Sequence, residues 1–361
     1  MATSSQRLGV VVFLGYQTLG DFCFACLTAA SVAAALGGAR LGLIYRDDRP
    51  YKGPLVAMTP LVTASLALPA DAAMALPLDW FDPNYSQAGW PEPWLAQGLH
   101  RPDLFLTPSM MWISSIIPPI PALRLPPAME GRSVEALRRL GLDPARWFAC
   151  IHMREIGYSH RSGLDKDRCV DPLSYLPMIR DILFEQGGQV VRLGDPSMTP
   201  LPQLPGLIDL GRLPNSFVLQ AFAASRARYF VGSDSGATQL ACAFKTPSAT
   251  TNALGLGVWN DGDVMLTKTI CSSGGQRLSL ADIRSSAMMD LHYFRLPGAR
   301  VADNTPGQLV AVARHMHAMT GDCTGWRQPR VEIELGSLGL VDLPLRQRGI
   351  ADETHVTWWN E

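Results

Sequence analysis

The 361-residue sequence has almost no charge imbalance, 31 basic residues meeting 32 acidic ones for a net charge of -1. That excludes the broad positive field of a dedicated nucleic-acid binder, so charged ligands must be met locally. G-x-G-x-x-G is missing after the first apolar segment, which argues against a nicotinamide or flavin dinucleotide. No G-x-S-x-G elbow is present, and no His pair stands at helical i, i+4 spacing with a Glu. The seven cysteines are odd in number and scattered, several inside apolar segments, so they read as reduced thiols and not as a disulfide framework. Cys23-x-x-Cys26 lies in a helical pattern with no redox signature and no second metal pair, and core packing is favoured over redox or zinc chemistry. Long apolar runs are also lacking. Residues 22–36 form an almost uncharged helix of 15 residues, too short to span a bilayer comfortably. Residues 1–14 resemble the start of a secretory signal, but Asp21 interrupts the apolar stretch and residues 8–15 read better as a buried strand. A cytoplasmic protein with at most peripheral membrane association is expected. No internal repeat is found.

Hydrophobic residues make up 47%, and the length accommodates two domains with separate cores. Strand 8–14, a Gly-bounded turn, the Ala-rich helix and strand 40–45 open the chain as a Rossmann-like half. Residues 79–85 and 90–94 are aromatic, Pro-broken loops that either anchor the chain or offer rings to a carbohydrate face. The Pro-rich segment 118–127 makes a semi-rigid linker and the best domain boundary. Beyond it the pattern predicts helix 133–141, strand 147–152, helix 172–186, strand 189–193, strand 207–210, a helix capped by Asn215, strand 227–232 and a further helix. Segment 266–270 and a last helix over 306–320 follow. The predicted class is α/β with two Rossmann-like domains facing across a cleft: 1–127, 128–325, and an extension over 326–361.

The chemistry centres on residues 227–249. An apolar run stops at Gly232, small polar residues follow, and Ala-rich helical spacing begins near Ser235. A helix starting there points free N–H groups and its positive dipole end into the loop, which suits a phosphate or pyrophosphate. Ser233 and Ser235 add hydroxyl donors, and Gly236 lets an anion approach the backbone. Asp234 would repel phosphates, so it should point away as a loop organiser or ribose contact. His152 and Arg154 leave a buried strand on one side at period two, and the arginine can fork onto phosphate oxygens or pair with a carboxylate such as Asp171 or Asp195. His160 and Arg161 read as solvated surface. Lys268 is a second candidate phosphate or sugar contact. Asp21 either caps the first helix or accepts a proton from an incoming hydroxyl. Asp165-x-Asp167 and Asp261-x-Asp263 have the spacing of divalent-ion motifs, yet such pairs arise readily by chance, and no metal site is assigned.

These residues carry a resemblance. Residues 230–247 resemble the D-S-G-x-x-x-L-A-x-A-x-x-x-P signature in the donor domain of bacterial heptosyltransferases, and Leu19-Gly20-Asp21 is similar to their L-G-D turn, whose acidic residue is regarded as the base. Over residues 145–320 the chain is similar to a family of bacterial glycosyltransferases associated with surface-polysaccharide loci. The shared features are His152-x-Arg154, the 188–195 run with Arg192 and Asp195, Gly232 to Gly236, and Asn252. His152-x-Arg154 also resembles the H-x-R motif of GDP-fucose-dependent fucosyltransferases, where the Arg holds the donor diphosphate. The resemblance implies a GT-B enzyme with acceptor in the first domain and nucleotide-sugar in the second. It implies inverting, metal-independent hexosyl or deoxyhexosyl transfer with Asp21 as base. The donor contacts would be His152, Arg154, Arg192, Asp195, Ser233, Asp234, Ser235, Gly236, Asn252 and Lys268. No cofactor is implied beyond the nucleotide-sugar co-substrate, with a GDP-sugar hinted at, and the acceptor would be a glycan or lipid-linked glycan. Two competitors share the architecture: a sugar-nucleotide epimerase or hydrolase, and a non-catalytic nucleotide-binding protein.

Overall fold

The computed structural model describes residues 7–15, 18–71, 92–106, 121–155, 166–254, 263–278, 298, 300–321, 325–326, 350–351 and 356–357. The expectations for residues 79–85, 90–91, 160–161, 165 and 255–261, and for most of 326–361, fall outside them. The chain divides into two compact units, Met1–Met129 and Glu130–Glu361.

In the first unit, β1 (Gly9–Leu14) is six buried residues, as its unbroken Val, Phe and Leu content requires of a strand covered on both faces. Helix α1 (Leu19–Ala35) begins three residues before the expected start at residue 22. Its cap is Thr18, whose hydroxyl accepts the Asp21 N–H at 3.3 Å. β2 (Arg40–Arg46), α2 (Lys52–Met58), β3 (Val62–Leu68), α3 (Glu92–Ala96) and β4 (Leu104–Leu106) follow, and the strands make a parallel sheet in the order β3-β2-β1-β4. Trp94 is fully buried with Val11, Phe13, Ile44 and Leu99. A Cβ at Gly42 would come within 2.8 Å of its ring, so the glycine makes room for the indole. A ring with no exposed face cannot carry a sugar, and the carbohydrate reading fails for Trp94.

Helix α4 (Pro127–Arg139) starts at the last proline of the predicted linker and not at residue 133, because proline needs no N–H partner in a first helical turn. In the second unit β5 (Phe148–His152), β6 (Gln189–Arg192), β7 (Leu207–Asp209), β8 (Tyr229–Ser233), β9 (Ser248–Ala253) and β10 (Val264–Thr267) pair in parallel, in the order β10-β9-β8-β5-β6-β7. This is doubly-wound 3-2-1-4-5-6 topology, with its switch point between β5 and β8. The helices α5 (Leu176–Arg180), α6 (Phe217–Arg226), α7 (Gly236–Ala243) and α8 (Pro306–Met319) connect or cover it. Asn215 does not cap α6: it takes φ of 55°, and Ser216 stands at the cap position, its hydroxyl donating to Leu210 O at 2.9 Å. Helix α8 has a full capping box between Thr305 and Gln308. Segment 266–270 spans the end of β10 and the start of β11 (Thr269–Cys271), separated at Lys268, and β11 pairs antiparallel with β12 (Arg300–Ala302). Within the C-terminal extension β13 (Ile350–Ala351) adds parallel to β10, and β14 (Val356–Thr357) adds antiparallel to β13.

The core of this unit runs from Trp147 through β5 and β8 to Val312 and Met316 of α8. Gly188 belongs to its shape, since a Cβ there would fall 2.4 Å from the Trp147 ring.

Candidate functional site

Ligands of doubly-wound sheets bind outside the carboxyl ends of the strands at the switch point, where successive connections leave for opposite sides. Here that point is flanked by the loops after β5 and β8. The two strands run in register with His152 opposite Gly232, and a Cβ at Gly232 would lie 2.7 Å from the His152 carbonyl oxygen. Only glycine allows the strands this approach without displacement. One residue on, the buried Ser233 hydroxyl accepts the Arg154 N–H at 2.7 Å, tying the β5 loop to the β8 loop.

The backbone then turns into α7. Ser235 is extended, with φ of -160° and ψ of 169°, and its hydroxyl faces the Thr238 N–H at 3.4 Å as the helix cap. Thr238 Oγ1 donates to Ser233 O at 2.7 Å, closing the turn from the other side. The cap and the helix bond from Gln239 N to Ser235 O satisfy the third and fourth N–H groups. Those of Gly236 and Ala237 have no partner among the described residues. Two N–H groups at the positive end of a helix dipole make a seat for an anionic oxygen.

Asp234 is turned to Arg168, whose Nη2 lies 3.2 Å from its carboxylate and donates to its carbonyl oxygen at 3.3 Å. The arginine holds the loop and offsets the Asp234 carboxylate beside the seat. Sequence reading missed Arg168, one of several basic residues in a polar loop, with no periodic or motif signal to single it out.

His152 donates Nδ1–H to Leu193 O at 2.9 Å, since a carbonyl can only accept. Its pKa is pushed down to about 4, chiefly by burial and further by the charges of Arg192 and Arg154, against the opposing pull of the Leu193 carbonyl and Asp195. The ring is neutral at pH 7, so Nε2 is an acceptor suited to a hydroxyl. Leu193 is held in turn, because the Gln220 amide accepts the Gly194 N–H at 2.9 Å and donates to Gly194 O at 2.8 Å.

Four other candidate donor contacts have polar atoms engaged within the chain, although Arg192 Nε has no hydrogen-bond partner among the described residues. Arg192 is fully buried, with Nη2 on Glu155 at 2.7 Å and Nη1 on Asp209 at 3.1 Å and Thr199 O at 2.6 Å. A buried charge is tolerable only with such partners, so Arg192 braces the chain and has no face for a ligand. Lys268 is likewise buried, its ammonium on Asp303 at 2.6 Å and Cys169 O at 3.0 Å. Asn252, at φ of 52°, exchanges two 2.6 Å bonds with Asn304 and donates to the Tyr175 hydroxyl at 2.9 Å. These three move from ligand contacts to structural braces. Asp195 folds its own turn, Oδ1 accepting from the Ser197 N–H at 2.9 Å and the Ser197 hydroxyl at 2.6 Å.

In the first unit Asp21 stands third in α1. Its Oδ2 accepts the Thr18 hydroxyl at 2.6 Å, while Oδ1 has no bond among the described residues. The capping alternative changes form: Thr18 is the cap, and Asp21 supports it while leaving one carboxylate oxygen available. Cys23 and Cys26 are free and fully buried. Burial raises both thiols, Cys26 to about 12, so neither supplies the thiolate that redox or metal chemistry needs. Asp263, from the second Asp-x-Asp pair, accepts the Ser248 N–H at 3.1 Å. Among the described residues no cluster of three His, Cys, Asp or Glu could hold a metal, and no helix is long and apolar enough to cross a membrane.

No protein-family model and no curated protein matches the sequence. Solved structures do. The fold is similar to that of a family 9 glycosyltransferase from Veillonella parvula, with a TM-score of 0.50 and 12% identity over 88% of this chain and 99% of that one. It is similar to the ADP-heptose lipopolysaccharide heptosyltransferase II of E. coli, with a TM-score of 0.51 and 12% identity over 87% of this chain and 100% of that one. The chain therefore has the GT-B type of α/β fold, built on parallel sheets.

Proposed function

We propose that the protein is a glycosyltransferase, moving a sugar from a nucleotide-sugar to the hydroxyl of a glycan or lipid-linked glycan in surface-polysaccharide or other glycoconjugate synthesis. One observation carries the reading: at the switch point of a GT-B-type donor sheet, a Ser235-capped helix presents two N–H groups without a partner among the described residues, beside the loop that bears Arg154. A leaving nucleoside diphosphate needs such a seat, because negative charge grows on its outer phosphate as the bond to the sugar breaks. In the proposed step the Asp21 carboxylate takes the acceptor's proton and the freed oxygen attacks the anomeric carbon. The bond from that carbon to the phosphate oxygen breaks with inversion, its electron pair passing to the diphosphate. The Gly236 and Ala237 N–H groups, with Arg154, meet that charge without a metal in this scheme. Neutral His152 accepts a donor hydroxyl through Nε2.

The name of the E. coli neighbour makes ADP-heptose the first donor to test, ahead of the GDP-linked hexose or deoxyhexose suggested at His152-x-Arg154. The test is thermal unfolding with ADP, GDP, UDP, TDP and CMP, since a ligand bound only to the native state raises Tm with the logarithm of its occupancy. A nucleoside diphosphate should raise Tm, and Arg154→Ala should weaken its binding roughly tenfold, the loss of a charge-assisted bond. No shift with any nucleotide would refute the reading. Conversion of the nucleotide-sugar to an epimer without acceptor would replace it with the epimerase. Binding without turnover, with Asp21→Ala indistinguishable from the parent, would leave a nucleotide-binding protein.

A further inference from the structure

A polar cavity lies at the amino end of the first unit's sheet, where the strands begin. It measures about 300 Å³ and is lined by Arg7, Leu8, Arg40, Gly98, Arg101 and Asp103. Three guanidinium groups thus share a cavity with one carboxylate, Asp103, whose Oδ2 also accepts the Gly9 N–H at 2.7 Å. None of the three arginines forms an ion pair among the described residues. Arg40 donates through Nη1 to Gln97 O, while its Nε is buried with no hydrogen-bond partner among the described residues. Gly98 shapes the wall at φ of +67°. A Cβ there would press to 3.3 Å from Arg40 Nη1, so the glycine keeps the guanidinium unobstructed.

Three arginines against one carboxylate leave the lining with a surplus of two positive charges, and like charges gathered around one cavity repel. Arg192 and Lys268 each have a carboxylate within about 3 Å, as a cation withdrawn from water requires. The arginine cavity is open to solvent, with Arg7, Arg101 and Asp103 exposed and Arg40 half-buried, and Asp103 is its one carboxylate among the described residues. We infer that the cavity binds a phosphate-type oxyanion, which guanidinium forks match in shape and charge. The volume admits a pyrophosphate or a small phosphorylated molecule and stands at the lower end of ligand cavities. The anion is either a free phosphate compound or the headgroup phosphate of a lipid, recognised by the same chemistry.

The test uses the full chain carrying Gly236→Asp, which places a negative charge at the α7 seat and removes it as a competing phosphate site. Titration calorimetry with inorganic pyrophosphate is compared with Arg101→Ser in that background, Arg101 being exposed and tolerant of change, and with Arg40→Gln. Sedimentation with phosphatidylcholine vesicles, with and without phosphatidylglycerol, forms the second arm. Loss of roughly tenfold in pyrophosphate affinity in either arginine variant supports a free phosphate ligand. Failure to bind pyrophosphate, with phosphatidylglycerol-dependent sedimentation that Arg101→Ser abolishes, supports a lipid headgroup. If neither probe binds in an arginine-dependent way, the cavity is not an anion site. That result leaves the transferase reading untouched, because none of its residues take part.

Discussion

Both sheets are built on the same central strand order, 3-2-1-4, yet their carboxyl ends are furnished differently. In the second unit the groups around the switch point are laced to backbone: Ser233 to the Arg154 N–H, Thr238 to Ser233 O, His152 to Leu193 O, Gln220 to both sides of Gly194. In the first unit the corresponding end of β2 carries an ion cluster, Asp48 held by Arg46 at 2.7 Å and by Lys52 at 2.6 Å. Burial raises the Asp48 carboxyl, but Lys52 and Arg46 together bring it below the ordinary carboxylate range. Backbone lacing fixes N–H groups in place whatever the side chains, which suits a constant ligand part such as a diphosphate. Side-chain charges on long stems suit a partner that varies, as an acceptor does under the proposed function.

The largest expected effect comes from cutting the brace beneath the laced site. Arg192→Ala leaves Glu155 and Asp209 facing each other's surroundings without the cation that both share, and breaking a buried pair this way costs about 3–5 kcal/mol. Urea unfolding should show it as a lower midpoint at unchanged slope. A loss under about 1 kcal/mol would mean that the β5 and β6 loops are held by backbone bonds alone.

Next in size is a pH effect. Native His152 titrates at about 4, below the ordinary histidine value, so between those values the unfolded chain binds the extra proton. Stability should therefore fall as pH drops from about 6.5 toward 4, by at most about 1.4 kcal/mol per pH unit for one group, and level off below. His152→Asn keeps a donor for Leu193 O and has no proton to gain, so it should flatten that slope in urea midpoints taken across the window. An unchanged slope would assign the acid sensitivity to other groups.

The laced site was the more legible in sequence, for a physical reason. A strand that stops at a glycine, then Ser-x-Ser-Gly and an Ala-rich helix, is local information, and the Ser235 cap and the free N–H groups follow from it. Arg192, Asn252 and Lys268 were misread because their partners are distant along the chain: Glu155 is 37 residues from Arg192, Asp303 35 from Lys268, Asn304 52 from Asn252. A polar residue ending a buried strand has the same sequence context whether it meets a ligand or a remote carboxylate. Trp94 was ambiguous for the same reason, since nothing beside it marks Gly42 as its receptor. The start of α1 was within reach, as Thr18-x-x-Asp21 is a capping pattern.

The smallest effect is expected at the first unit's buried cation, and it sharpens the comparison most. Lys52 is fully buried, 2.6 Å from Asp48 and 5.2 Å from the Phe22 ring centroid. Unlike Arg192, it is not the one cation paired with its carboxylate among the described residues, because Arg46 reaches Asp48 through Nε at 3.0 Å and Nη2 at 2.7 Å. Methionine matches the stem length and places sulfur near the Phe22 ring, a favourable contact. Replacing a buried ion by a well-packed apolar group is often close to neutral. Lys52→Met should accordingly shift the urea midpoint by no more than about 1 kcal/mol of stability, several-fold less than Arg192→Ala. A loss as large as that of Arg192→Ala would show that Asp48 depends on both cations together, and that the first unit's strand ends are as tightly organised as the second's.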